Sequence, residues 1–167
     1  MTDSTPTTTA VSTYTPAQVA EHRRAWVTAL RSGEYQQGFE VLRTPEDGYC
    51  CLGVAEAVRG ATFRRHPVGF HGFKWVIDDE LLGERGVKTT LTIVGRLWLG
   101  LRAVDPLVPY QLPGFAHWSI EALSALNDST SWTLERIADV VEALPLEWDG
   151  TVSWARAYVD SERGEPS

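Results

Sequence analysis

The first regular pattern along the chain is helical. Thr15-Pro16-Ala17-Gln18 combines an N-cap residue, a proline at the first helical position and the glutamine of a capping box. Gly33 has the residue type that commonly follows a helix C-terminus. Between these signals, apolar residues recur at helical spacing at Val19, Trp26, Val27 and Leu30. The pattern predicts a helix between Thr15 and Gly33.

Later segments show the same helical spacing of apolar residues. In the segment Leu91–Leu101, the β-branched residues near position 92 would also suit a strand, and that alternative stays open. Ser119 and Thr133 have N-cap chemistry, and Pro145 ends the helix that Thr133 begins. Helices are therefore predicted over Tyr49–Gly60, Leu91–Leu101, Ser119–Leu126 and Thr133–Pro145, with a short final helix over 151–160.

Strand and turn signals are weaker. Phe39–Leu42 alternates apolar and polar residues and precedes a strong turn signal at Thr44–Gly48, so a short strand is predicted there. Residues 61–88 are rich in glycine and aromatic residues without a clear period, which indicates short strands and loops. The segment Pro106–Pro113 contains three prolines and is predicted to be a loop.

Together these elements predict an α+β fold in one compact domain, mostly helical, with a small antiparallel sheet or hairpins. A chain of 167 residues suits one domain, since most domains have about 100–150 residues. Residues 1–14 are rich in Thr and Ser and are predicted to form a disordered tail. The globular domain is predicted over 15–160, and residues 161–167 are predicted to fray.

The charge distribution narrows the classes of partner. The formal net charge is −7, and residues 68–167 supply all of it, since residues 1–67 hold seven basic and seven acidic residues. Such a chain is at a disadvantage in binding nucleic acid through phosphates. No apolar run is long enough to span a bilayer, and no secretory signal is present. The sequence thus predicts a cytoplasmic protein without nucleic-acid or membrane partners.

The residues that could carry chemistry do not form a catalytic motif. Cys50 and Cys51 are adjacent, which disfavours a disulfide between them and fits no zinc-site spacing. A cysteine nucleophile needs a nearby base, and no motif presents one of the four histidines to either thiol. No phosphate-binding glycine loop is present. We therefore expect a binding protein rather than an enzyme, with no metal and no cofactor.

A helix-turn-helix interpretation of the two helices around Asn127–Ser131 is disfavoured by charge. The second helix would present three acidic residues and a single arginine to phosphates, which would repel it. The residue types needed by a nucleotide-like ligand are nevertheless present. Stacking on a base could come from Tyr35, Tyr49 or Trp132, phosphate binding from Arg31, and ribose contacts from Gln37, Asn127 or Asp128.

The seven tryptophans are divided between core and surface by their context. Trp26 and Trp98 lie on apolar faces and are predicted to be core residues. Three others lie in or beside polar loops, where indole rings often contact ligands, and they are candidates for a binding surface: Trp75, Trp118 and Trp132.

Several motifs resemble those of a family of small proteins encoded by tailed bacteriophages and prophages, most without an assigned function. The resemblance spans roughly residues 24–144. Its most specific block is Tyr-Cys-Cys-Leu-Gly-Val, at Tyr49–Val54, and many relatives have a glycine after Asn-Asp where this chain has Ser129-Thr130-Ser131. The remaining matches are Leu-Arg-Ser-Gly-x-Tyr-x-Gln at 30–37, Leu-Gly-Leu at 99–101, Asn-Asp at 127–128 and Ile-Ala-Asp at 137–139.

The resemblance implies a phage accessory protein in the cytoplasm of the infected bacterial host. Small phage proteins of this kind often counter host defence, and several unrelated families do so by sequestering nucleotide immune signals. Those signals include cyclic oligonucleotides and the ADP-ribose derivatives made in Thoeris-type systems. By this analogy we expect sequestration of an ADP-ribose-type signal, with Trp132 as a lid. The residues expected to line or brace the pocket are Arg31, Tyr35, Gln37, Tyr49, Cys51, Asn127, Asp128 and Trp132.

Two alternatives remain. One is a hydrolase or transferase of such a signal, for which Cys51 would be the residue to test. The other is an inhibitor that binds a host enzyme through the acidic last hundred residues. The sequence leaves open whether the protein forms a homo-oligomer and whether subunits share the pocket.

Overall fold

The computed structural model describes residues 14–79 and 84–164, which form a single α+β domain. The helices are α1 (Pro16–Arg31), α2 (Cys51–Val58), α3 (Ile93–Trp98), α4 (Leu123–Asp128), α5 (Leu134–Ala143) and α6 (Val152–Arg163). The strands are β1 (Gln36–Gln37), β2 (Gly48–Tyr49), β3 (Arg64–Val68), β4 (Gly72–Asp79), β5 (Glu84–Val87), β6 (Leu107–Tyr110) and β7 (Ser119–Ala122). The predicted fold class is confirmed.

The predicted first helix has the expected start. The Thr15 hydroxyl accepts a hydrogen bond from the Gln18 amide, and the Gln18 side chain accepts one from the Thr15 amide. This reciprocal capping box satisfies two amides that the helix itself leaves unpaired. Of the predicted tail, only Tyr14 is described, and its ring lies edge-on against His22 with centroids 4.8 Å apart.

The predicted helices at Tyr49–Gly60 and Thr133–Pro145 are also present, as α2 and α5. Leu91–Leu101 is helical over α3, with Thr92 as its N-cap, so the strand alternative there is wrong. The final helix does not stop at 160. It continues to Arg163, because Gly164 ends it in a left-handed conformation with φ 71°.

The strand predicted at Phe39–Leu42 is wrong, because this segment is irregular. Instead, β1 and β2 form a two-residue parallel pair, and the chain between them contacts α2 closely. A Cβ at Gly53 would lie only 1.8 Å from the Leu42 carbonyl oxygen. The glycine of the Cys-Cys-Leu-Gly motif therefore lets the irregular segment pack on the helix backbone.

The prediction of a loop over Pro106–Pro113 is also wrong for the four residues that form β6. Residues 107–110 form β6, which pairs antiparallel with β7, and Pro109 stands opposite Ile120. A proline is tolerated there because, among the strands that the structure describes, β6 pairs with β7 alone, so its ladder of hydrogen bonds lies on one side. β7 takes up the first four residues of the helix predicted at Ser119–Leu126, and α4 begins only at Leu123.

The core lies between α1, α2, α4 and α5, and around it lie the β1–β2 pair, the antiparallel three-stranded sheet β3–β4–β5 and the antiparallel β6–β7 pair. A buried arginine, Arg23, joins this core to the C-terminal part: its guanidinium donates to the carbonyls of Leu99, Pro145, Leu146 and Trp148. Within the ranges 14–79 and 84–164, no helix is both long and apolar enough to cross a bilayer. The same ranges hold no group of three or more potential metal ligands.

Candidate functional site

Five of the predicted site residues meet in an internal brace, defined as Gln37, Cys51, Asn127, Asp128 and Trp132. Asn127 is its centre and has no exposed surface. The Asn127 Oδ1 accepts from the Cys51 amide at 3.0 Å, and its Nδ2 donates to the Gly38 carbonyl at 2.8 Å. One side chain thus ties the start of α2 to the chain after β1. Asn127 braces the structure and is not accessible to a ligand.

Two further members of the brace hold the same irregular segment. The Gln37 Nε2 donates to the carbonyls of Asn127 and Trp132 at 3.1 and 3.0 Å. The Asp128 carboxylate accepts from the Glu40 amide at 2.8 Å, where Glu40 has a positive φ of 66°. That conformation is unusual for a residue with a side chain, and the bond to Asp128 helps to fix it.

The two cysteines are buried and chemically protected. Burial raises the pKa of Cys50 to about 12 and also raises the pKa of Cys51. The Cys51 thiol donates to the Leu123 carbonyl, and the Cys50 sulfur accepts from the Gly53 amide as the N-cap of α2. A protonated, buried thiol is a poor nucleophile, so Cys51 has the environment of a structural residue.

The lid predicted at Trp132 is wrong, because this side chain is only 7% exposed and belongs to the core cluster. Its ring packs edge-on against Tyr110 at 5.0 Å, and the Arg136 guanidinium lies 4.3 Å from its centroid. Of the two tryptophans predicted to be core, Trp26 is fully buried, whereas Trp98 is half-buried and stacks on His22.

Arg31 lies away from the brace, at the end of α1. Its Nη2 contacts the carboxylates of Asp139 and Glu142 on α5 at 2.6 and 2.7 Å. These hydrogen bonds raise the pKa of Arg31 and lower the pKa of Glu142. Arg31 also lines a groove of about 360 Å³ between α1 and α5. A phosphate at Arg31 would have to compete with two carboxylates.

Tyr35 and Tyr49, the predicted stacking residues, belong to a different surface. Their rings pack edge to face with centroids 5.2 Å apart, and Tyr49 packs in the same way on Phe63 at 5.8 Å. Both tyrosines are half-buried, and burial raises the pKa of Tyr49. The brace positions Tyr49, because β2 pairs with β1 and Gln37 anchors β1.

Arg43 joins these rings to the β3–β4 hairpin. Its guanidinium lies 3.8 Å from the ring centroid of Trp75, 5.3 Å from that of Tyr49 and 5.6 Å from that of Phe63. It also donates two hydrogen bonds to Asp47, four residues further along. Arg43 is therefore neutralised locally while its flat faces contact aromatic rings.

The hairpin extends the same pattern. Antiparallel pairing places Arg65 directly opposite Trp75, so both side chains lie on one face. The Arg65 guanidinium lies 4.5 Å from the Phe73 centroid and 5.3 Å from the Trp75 centroid. Rings and guanidinium groups thus alternate from Phe73 to Phe63, and two further rings continue the row. This surface is here called the arginine–aromatic strip: Phe73, Arg65, Trp75, Arg43, Phe63, Tyr49 and Tyr35.

Two features make this strip the leading candidate site. Arg65 is exposed and forms no ion pair within the part of the chain that the structure describes. In addition, residues 57–77 contain no Asp or Glu, although the whole chain has a net charge of −7. Aromatic faces beside an unpaired guanidinium can bind a flat, anionic ligand.

Sequence reasoning named Tyr35, Tyr49 and Trp75 but missed Arg43, Arg65, Phe63 and Phe73. The acid-free stretch 57–77, in which arginines and aromatic residues interleave, is a signal that could have found Arg65, Phe63 and Phe73. Arg43 has no such signal, because it reaches the strip only through the turn at Thr44–Gly48 and the β1–β2 pair.

Comparison with known proteins gives a family but no activity. Residues 19–145 match a family described as a domain of unknown function, DUF8296, and both the internal brace and the arginine–aromatic strip lie within that match. No curated protein and no solved structure matches the chain. Because the match covers well over half of its residues, the chain belongs to the DUF8296 family.

Proposed function

We propose that this protein binds and sequesters a nucleotide-derived signal of the ADP-ribose type, at the arginine–aromatic strip, and thereby inhibits host antiviral defence. The observation that carries the proposal is the strip itself, in which guanidinium groups lie between rings and Arg65 is exposed, without an ion-pair partner among the described residues. The resemblance to phage and prophage proteins supports the defence context.

The strip supports a more specific division of roles than the sequence did. The half-buried rings of Phe73 and Trp75, which both lie beside Arg65, would stack with the base. Arg65 would bind phosphate in place of Arg31, because Arg31 already has two carboxylate partners and Arg65 has none among the described residues. Binding at Arg65 would therefore break no ion pair that the described part of the chain forms.

A binding role is favoured over hydrolysis by the state of the cysteines. Cys51 has no exposed surface and a raised pKa, so it does not present a thiolate to a ligand. The strip itself consists of aromatic and arginine side chains, which bind and orient but are poor general bases at neutral pH.

Calorimetry with ADP-ribose and adenosine tests the proposal. We expect ADP-ribose to bind more tightly, and Arg65→Gln to weaken ADP-ribose by tenfold or more while leaving adenosine unchanged, since a charge-assisted hydrogen bond contributes about 1.5–3 kcal/mol. Arg156→Gln, at an exposed arginine on α6, is the matched control and should change neither affinity.

Heat denaturation of the loaded protein then separates binding from turnover. Recovery of intact ADP-ribose supports sequestration, whereas recovery of cleaved products would support the hydrolase alternative instead. The absence of binding to either ligand would refute the proposal, and co-purification with a host enzyme in that case would favour the inhibitor alternative.

A further inference from the structure

A second surface with a different chemistry is formed by residues of β6, α5 and α6. It is a cavity of about 240 Å³, here called the aromatic pocket, and its polar and aromatic lining comprises Tyr110, Gln111, Trp118, Asp139 and Tyr158. Tyr110 is the last residue of β6, Trp118 immediately precedes β7, and Tyr158 lies on α6. Since a water occupies about 30 Å³ in the liquid, this space suits a small organic group.

The aromatic walls are fixed by contacts with one another and with two rings outside the pocket, those of Trp154 and Trp132. Tyr158 stacks on Trp154, with centroids 5.1 Å apart and planes 15° apart. Trp118 meets Tyr158 edge to face at 5.6 Å and 89°, so the two rings form a corner. Tyr110 packs against the buried Trp132 at 5.0 Å. The pocket therefore exists without a ligand and needs little rearrangement to bind one.

The charge around the pocket is negative. Asp139 at its rim shares Arg31 with Glu142, so two carboxylates surround one guanidinium and leave a net charge of −1. Glu162 is close enough to Tyr158 to help raise its pKa, after the larger effect of burial. No lysine or arginine is among the described residues that line the pocket.

We infer that the aromatic pocket binds an organic cation of the alkylammonium class. The faces of aromatic rings carry negative potential, and a cation over Trp or Tyr is attracted more strongly the more fully it is desolvated. The negatively charged carboxylate of Asp139 also attracts the cation. The site is separate from the arginine–aromatic strip and excludes the anionic ligand proposed there, so either proposal can fail alone.

Titration with choline and with its uncharged isostere 3,3-dimethylbutan-1-ol tests the inference. The readout is the indole N–H signal of Trp118 in a ¹⁵N correlation spectrum, assigned as the signal missing from Trp118→Ala. We expect saturable shifts with choline and an affinity at least fivefold weaker for the alcohol. Equal affinities would show a merely apolar pocket, and the absence of any shift would show no site. Either result would overturn the inference.

Variants at the rim keep the test independent of folding. Asp139 is exposed, so Asp139→Asn should fold normally and weaken choline binding several-fold without affecting the alcohol. Glu135→Gln, at an exposed acidic residue of α5 that does not line the pocket, should leave both affinities unchanged. An unchanged affinity for choline in Asp139→Asn, or loss of binding to the alcohol as well, would contradict the assigned role of the carboxylate.

A peptide that carries Nε-trimethyllysine distinguishes the two sources of such a cation. Binding of the peptide more tightly than choline would identify the ligand as a side chain of a partner protein. Equal or weaker binding would identify a free small cation. Both results support the alkylammonium class, and failure of both ligands to bind would refute it.

Discussion

Replacement of Asn127 by alanine should remove the centre of the internal brace. The side chain is fully buried and makes two long-range hydrogen bonds, with the Cys51 amide at 3.0 Å and with the Gly38 carbonyl at 2.8 Å. In the alanine variant both main-chain groups would stay buried without this partner. Each unsatisfied buried group costs about 1–3 kcal/mol. We therefore expect a loss of about 3–4 kcal/mol in the free energy of unfolding, the middle of the summed range.

The loss should be measured by urea unfolding followed by circular dichroism, with the slope of the transition compared between variants. Gln111→Ala is the matched control, because this exposed amide donates one short-range hydrogen bond to the Ala116 carbonyl. We expect the control to lose less than about 0.5 kcal/mol, as is usual for exposed positions.

A loss below about 1 kcal/mol for Asn127→Ala would refute the reasoning. It would mean that water or a shifted main chain satisfies both groups. A changed slope would instead mean that the variant alters the compactness of the unfolded or native state, and the energies could then not be compared directly.

Three further predictions rest on buried groups. Gly53→Ala should destabilise the fold by about 3 kcal/mol in thermal unfolding, because its Cβ would lie 1.8 Å from the Leu42 carbonyl oxygen; near-wild-type stability would contradict this close contact. Glu56→Gln should lose about 3 kcal/mol by leaving Arg59 without its buried ion pair, and an unchanged urea midpoint would show that the pair contributes nothing. Cys50 should resist a thiol reagent at pH 8 until the protein unfolds, and stability should fall as pH rises from about 9 to 12, because only the unfolded thiol then loses its proton; rapid labelling of the native protein would contradict the burial.

The start of a helix was predictable where the side chain of the N-cap residue bonds to the first turn, and it was not predictable for α4, which lacks such a bond. Thr15 and Thr133 cap α1 and α5 with their own hydroxyls, so local residues define both starts. The start of α4 has no such cap. Its Ser124 amide and hydroxyl bond to Asp105, nineteen residues earlier, and this distant partner is invisible to a local pattern. The helix predicted from Ser119 therefore began four residues too early.

The strand predictions were wrong for a related reason. β1 and β2 have two residues each, too few to show an alternating pattern, and they exist because Gln37 and Asn127 hold the chain around them. β6 contains a proline, which is disfavoured in a strand in general but is allowed in one with a single neighbour. Which strand has a free edge is a property of the assembled fold.

The motif residues themselves divide into two groups that sequence alone could not separate. Gln37, Asn127 and Asp128 direct polar atoms at main-chain groups of this protein and so hold the chain around Gly38 and Glu40. The bonds of Asn127 to Gly38 and Cys51 are buried, whereas Asp128 is exposed. Tyr49 and Arg43, which are bridged to each other, contact rings instead: Tyr49 packs on Phe63, and Arg43 lies over Trp75 of the β3–β4 hairpin. Asn127 and Gln37 therefore affect ligand binding indirectly: they hold the segment that presents Tyr49 and Arg43. On this argument, Asn127→Ala should weaken ADP-ribose binding at the arginine–aromatic strip although Asn127 touches no ligand, and Gln111→Ala should not.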